Sequence, residues 1–152
     1  MDIKLRNATR EDVFAIVRML ADDFLGTRRE LITDPLRDSY LNAFEQIEAD
    51  ANNELLVAEL DGRIVGTMQL TFTPSLSHQG SRRCTIEAVR VDRSCRGRGI
   101  GHQMMRWAIK RAREKSCGSI QLTTNAARLD AQRFYESVGF EATHVGMKLS
   151  LS

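Results

Sequence analysis

The sequence predicts an α/β fold of the α+β kind, one domain over 1–152 with a mixed, mainly antiparallel central sheet and about four flanking helices. Three observations carry this. Apolar residues recur at helical spacing in four stretches and alternate with period two in several others. Helical stretches separate some strands but not others, which gives a mixed sheet. The chain has 152 residues, 42% of them hydrophobic and 28% charged. That fits a single domain with a core of its own.

Residues 3–7 alternate as a short strand. Thr9 reads as a helix N-cap with Asp12 three residues on, and Val13, Ile16, Val17, Leu20 and Phe24 repeat at helical spacing. They predict a helix over 10–24, ended by Gly26 and Thr27, then a loop over 27–37. Asp38 caps a second helix over 39–50, with Tyr40, Phe44 and Ile47 on one face. Residues 55–60 are a strand, and Asp61-Gly62 is a hairpin turn. The return strand, 64–73, puts Met68, Leu70 and Phe72 on one face and Gln69, Thr71 and Thr73 on the other. A polar loop over 74–81 leads to a strand over 83–91. A helix over 99–115 faces Ile100, Met104, Trp107 and Ala108 inward, and Gly118 stops it. A strand over 119–123 then lies parallel to 83–91. The last helix, 128–138, carries Ala131, Phe134, Tyr135 and Val138 as its stripe and Gly139 as its left-handed cap. Residues 140–142 and 145–151 form a final strand pair.

Composition narrows the function classes. A net charge of +2 gives no argument for nucleic acid, and the basic turn lacks the interleaved aromatics of single-strand binding surfaces. Cys84, Cys95 and Cys117 are odd in number and lack metal-ligand spacing, so neither a metal nor a disulfide framework is expected. Cys84 reads as core and Cys95 as an exposed turn residue. With no leader and no long apolar run, the expectation is a cytoplasmic protein without a membrane partner.

The informative stretch is 89–101. A Val-ended strand runs into Arg96-Gly97-Arg98-Gly99-Ile100-Gly101 and on into a helix. Glycines at alternate positions let several amides point outward together at the positive end of a helix, which makes an anion site suited to a pyrophosphate. Arg90, Arg93, Arg96 and Arg98 surround it. The spacing fits neither the dinucleotide fingerprint nor the nucleotide P-loop. A plain glycine-rich loop with exposed arginines is the rival account.

The pattern Arg96-x-x-Gly99-x-Gly101 after that strand resembles the acetyl-CoA-binding motif of the GNAT superfamily of N-acetyltransferases. A second block, Asn125 followed by Ala131-Gln132-Arg133-Phe134-Tyr135-Glu136-Ser137-Val138-Gly139-Phe140, resembles that family's second motif at the expected distance. The resemblance spans about 3–151 and is sharp in 86–101 and 125–140. It implies acetyl-CoA as co-substrate, bound at a β-turn-α, and no metal. Backbone amides of Arg96, Gly97, Arg98, Gly99, Ile100 and Gly101 would hold the pyrophosphate. Backbone groups of Val89 and Val91 would pair with the pantetheine arm, and Asn125 would hydrogen-bond a pantetheine amide. Tyr135 would sit by the thioester sulfur. Glu87 stands where many members place an acid lining the acceptor site.

Each role has a blander rival. Tyr135 lies on an apolar stripe and reads equally as core. Glu87 reads as a surface acid, or as a base acting directly or through a water. Asn125 reads as a strand end or helix cap. Phe24, Tyr40 and Phe44 are core, with a part left for the acceptor pocket. His78, His102 and His144 carry no chemistry. The expectation is direct transfer of an acetyl group to a small-molecule or protein amine, with a homodimer as the family's common arrangement. The alternative is a non-catalytic acetyl-CoA-binding sensor.

Overall fold

The computed structural model describes residues 2–23 and 25–152, so the expected role of Phe24 lies outside the described residues. Strand β1 (Lys4–Asn7) leads through a 3-10 turn (Arg10–Asp12) into α1 (Val13–Ala21). The helix starts where the sequence places its cap. The Thr9 backbone N–H donates to Asp12 Oδ2 at 2.7 Å, and Arg6 grips the same carboxylate at 2.7 and 3.0 Å. α1 ends at Ala21, before the predicted Gly26 stop. Gly26 instead opens a single helical turn, α2 (Gly26–Arg29), whose amide is held by Asp23 Oδ1. α3 (Asp38–Ala49) follows, with Asp38 as its first residue rather than its cap.

Strands β2 (Asn53–Leu60) and β3 (Arg63–Thr73) form the expected hairpin, with Asp61 at φ +52° and Gly62 at φ +76°. Both positive values are what a two-residue hairpin turn requires. A short turn, α4 (Ser77–Gly80), precedes β4 (Arg82–Val91). Then come α5 (Ile100–Glu114), β5 (Cys117–Gln121) and α6 (Leu129–Val138). The sheet order is β1-β2-β3-β4-β5, antiparallel throughout except for the parallel β4–β5 pair. The mixed, mainly antiparallel prediction holds, with α2 and α4 as single turns beside the four expected helices.

Over Met1–Gln121, one compact unit, the sheet is covered on both faces. Leu56, Met68, Leu70, Phe72 and Ile86 are buried, as are Ile100, Met104, Met105 and Ala108 of α5. Residues of one parity on β3 face this side, and those of the other parity face α1 and α3, where Val13, Val17 and Phe44 form a second cluster. α5 stops at Ser116, held at φ +58°, and not at Gly118. Gly118 lies inside β5, where a Cβ would come within 2.3 Å of Ser81 Oγ, so close approach explains the glycine.

The second unit, Leu122–Ser152, contains α6, with Gly139 in the left-handed cap position at φ +113°. The strand pair predicted over 140–142 and 145–151 is not formed: no strand is assigned after Gln121. Val145, Met147, Leu149 and Leu151 keep strand-like alternation, yet stand 88%, 90%, 85% and 95% exposed. Alternation alone makes no strand, because the backbone groups also need a ladder partner.

Candidate active site

β4 is paired differently along its two halves. Its first residues run beside β5, and the parallel ladder ends at Thr85↔Gln121. β4 continues to Val91, so Ile86–Val91 has no β5 residue opposite it. On the other edge, Thr67 pairs with Arg90 and Gln69 with Glu87, which sets Met68 against two residues, Ala88 and Val89. This is a β-bulge, and Ala88 takes φ +54° there. A non-glycine residue at positive φ is strained, and such strain collects at functional positions. No sequence signal announced it, since neither a glycine nor an asparagine marks the spot.

Glu87 is exposed and is registered against Gln69, so both side chains share the sheet face that α1 and α3 cover. Val89 O accepts from Arg90 Nη1 at 2.8 Å, and Val91 O from Arg96 Nε at 3.3 Å. The anion turn is built below Val91. The Asp92 N–H donates to Val65 O, while the Asp92 carboxylate accepts from Ser94 Oγ at 2.7 Å and Ser94 N at 2.9 Å. These two bonds, the side-chain one first, hold the Asp92 carboxyl below its ordinary range. Cys95 anchors the turn from inside: contrary to its expected exposure it is buried, and Arg63 Nη2 reaches its Sγ at 3.1 Å.

Gly97 (φ +79°) and Gly99 (φ +77°) then turn the chain into α5, with Gly99 as its N-cap. Gly101 follows within the first turn, and the first amides of a helix have no partner inside it. A Cβ on Gly97 or on Gly99 would meet no atom within 4 Å, so the space over the turn is open. Not all four arginines serve that space. Arg93 pairs with Asp22 at 2.7 Å and Arg90 with Asp23 at 3.4 Å, while Arg96 and Arg98 are exposed around the turn. A strand edge that β5 leaves unpaired, leading to an open cluster of amides, suits an extended amide chain with a pyrophosphate at its end.

In the second unit, Asn125 shapes a turn. Its Oδ1 accepts from Ala127 N at 2.9 Å and its carbonyl from Arg128 N at 2.8 Å, one hydrogen bond before α6 begins. Tyr135 packs edge-on against Phe134 and Phe140, with ring centroids 5.2 and 5.8 Å away, so its ring does belong to the α6 stripe. Burial pushes the Cys84 thiol up to about 12 and raises that of Cys117. Among the described residues no group of three His, Cys, Asp or Glu is placed to hold a metal.

The sequence model of the Acetyltransferase (GNAT) family matches residues 15–140. The chain therefore belongs to that family and is an acyltransferase, one whose relatives use acetyl-CoA as co-substrate. Aminoalkylphosphonate N-acetyltransferase of Salmonella typhimurium is 29% identical over 141 residues, covering 93% of this chain and 86% of its own. Glucosamine 6-phosphate N-acetyltransferase of Trypanosoma brucei brucei is 36% identical over 90 residues, 59% of each chain. Among solved structures, a protein of Bacillus halodurans C-125 described as a transcriptional regulator superposes with a TM-score of 0.96 at 51% identity. The match covers 99% of this chain and all of that one.

Proposed function

We propose that residues 1–152 act as one N-acetyltransferase domain that moves the acetyl group of acetyl-CoA to a primary amine by direct attack. The observation that carries this is the course of β4. It loses its β5 partner after Thr85, bulges at Ala88 and ends in an open glycine turn at a helix N-terminus. Bound acetyl-CoA supplies an activated acetyl thioester. Amides of Arg96, Gly97, Arg98, Gly99, Ile100 and Gly101 hold the pyrophosphate, and the backbone of Val89 and Val91 holds the pantetheine arm. The family resemblance assigns Asn125 a hydrogen bond to a pantetheine amide.

The acceptor is an ammonium with a pKa of roughly 10 and must lose a proton before it can attack. Glu87 takes that proton, directly or through a water. The amide N–H of Val89 donates to the oxyanion that develops at the carbonyl. The Tyr135 hydroxyl donates to the departing sulfur, and proton transfer comes late because a phenol near ~10 is a weaker acid than a thiol near roughly 8.5. No cysteine is needed. Three free cysteines suit a reducing compartment, and we place the protein in the cytoplasm on that ground.

The Bacillus halodurans relative's description favours a second reading, a non-catalytic acetyl-CoA sensor. Coenzyme release over a panel of amines separates the two. For the enzyme, at least one amine is turned over, and Tyr135→Phe and Glu87→Gln each lower kcat by about 10²-fold or more while acetyl-CoA still binds. Acetyl-CoA binding without turnover of any amine would leave the sensor.

A further inference from the structure

On the sheet face that carries Glu87, α1 and α3 line a half-open pocket of about 140 Å³. It is lined by Leu20, Tyr40 and Ile47 on the helices, by Leu55 and Gln69 on the sheet and by Ala88 in the β4 bulge. Ala88, the chain neighbour of Val89, is thus part of its wall, and Glu87 is registered against Gln69, another wall residue. Among the described residues that line it, none is charged.

Each of the three polar side chains in its wall already makes a hydrogen bond to another part of the chain. The Tyr40 hydroxyl donates to Glu30 at 3.0 Å and accepts from Leu31 N at 3.1 Å. Thr67 Oγ1 donates to Leu56 O at 2.9 Å, and Gln69 Nε2 donates to Asn53 Oδ1 at 3.0 Å. A phosphate, phosphonate or sugar hydroxyl pushed into this space would lose water and find at most the second Gln69 N–H as a donor among these three, too few for its several oxygens, which is costly. An apolar group loses nothing. An engineered apolar cavity of about 150 Å³ stays dry and takes up benzene, so this volume suits one ring or a short alkyl chain.

We infer that the acceptor is a primary amine bearing an apolar group of up to about one aromatic ring, seated between α1 and α3 with its amine at the Ala88 bulge. This rests on the acetyltransferase reading above and narrows it. It also separates this chain from the phosphorylated and phosphonylated acceptors named for its two relatives. The rival account of the same space is a packing gap over Phe44 that no ligand enters.

The test uses the full chain, saturating acetyl-CoA and a graded series: methylamine, butylamine, hexylamine, benzylamine and 1-naphthylmethylamine, with 2-aminoethylphosphonate and glucosamine 6-phosphate alongside. The expected result is a kcat/KM that rises by up to about fourfold per buried methylene. It should peak near hexylamine or benzylamine and fall at the naphthyl compound, with both phosphorus-bearing amines below the peak. Ile47→Trp, at a half-buried wall position, should cut benzylamine kcat/KM at least tenfold more than it cuts methylamine kcat/KM. A series flat in chain length, or an Ile47→Trp effect equal for all amines, would overturn the inference and favour the packing gap. Preference for either phosphorus-bearing amine would overturn it while leaving acetyl transfer standing. Acetyl-CoA binding with no amine turned over would instead sink the parent reading and this one with it.

Discussion

Asp12 shows how much one side chain does here. It closes the start of α1 by reaching back to the Thr9 amide, and it also pairs with Arg6 on β1. The Arg6 hydrogen bonds are the main reason its carboxyl titrates below the ordinary carboxylate range; its burial opposes them. A depressed folded-state pKa stabilises fully above the unfolded value of about 4, and that stability is lost as the pH falls through the folded value. The melting temperature should therefore drop steeply on acidification below about pH 4. Asp12→Ala should cost about 1–3 kcal/mol at pH 7 and flatten that acid limb. Thermal melts between pH 2 and 7 check both; parallel limbs for the two proteins would show that Asp12 does not govern the slope. The same scale shows why some roles were legible and others were not. Gly99 sits in a recognisable spacing and takes the left-handed cap position that the turn requires. The strain at Ala88 and the capture of Arg90 and Arg93 by Asp23 and Asp22 have no signature in the sequence, because tertiary contacts create them.

At the level of elements, most strands and helices followed from periodicity and caps. β2, β3 and β4 fall within two residues of their expected bounds, since hairpin and anion turn both constrain them. Prediction failed where a local stop signal competed with geometry. Gly118 looked like a helix stop but serves a close strand contact, and Gly26 opened a turn instead of closing one. The C-terminal stripe is the informative miss. Val145, Met147, Leu149 and Leu151 alternate as a strand would, and all four are exposed. A contiguous row of large apolar side chains is seldom left in water by a protein that works alone. It predicts a homodimer in which a second copy of this chain covers the row. Light scattering should give twice the 17.2 kDa chain mass, and Leu149→Glu should shift it toward the monomer. A monomer at every concentration up to about 100 µM would refute this.

For the whole molecule, the family was readable from two short blocks and their order, because those blocks meet chemical requirements that tolerate little variation. An outward set of amides at a helix start needs glycines at set positions. The acceptor was not readable, because an apolar wall is written in the same residues as a core. Only the half-open space between α1 and α3, with no charged residue among its described lining, points to the apolar acceptor proposed above. The central claim is that the Gly97–Gly101 turn and the end of β4 that β5 leaves unpaired hold acetyl-CoA. Calorimetric titration of acetyl-CoA tests it most directly, on the native chain and on Gly99→Trp, with NAD as the control and melts to show that the variant is folded. The account predicts saturable acetyl-CoA binding by the native chain, no heat from NAD, and at least tenfold weaker binding by Gly99→Trp. Equal affinity in the folded variant, or no binding by the native chain, would contradict it.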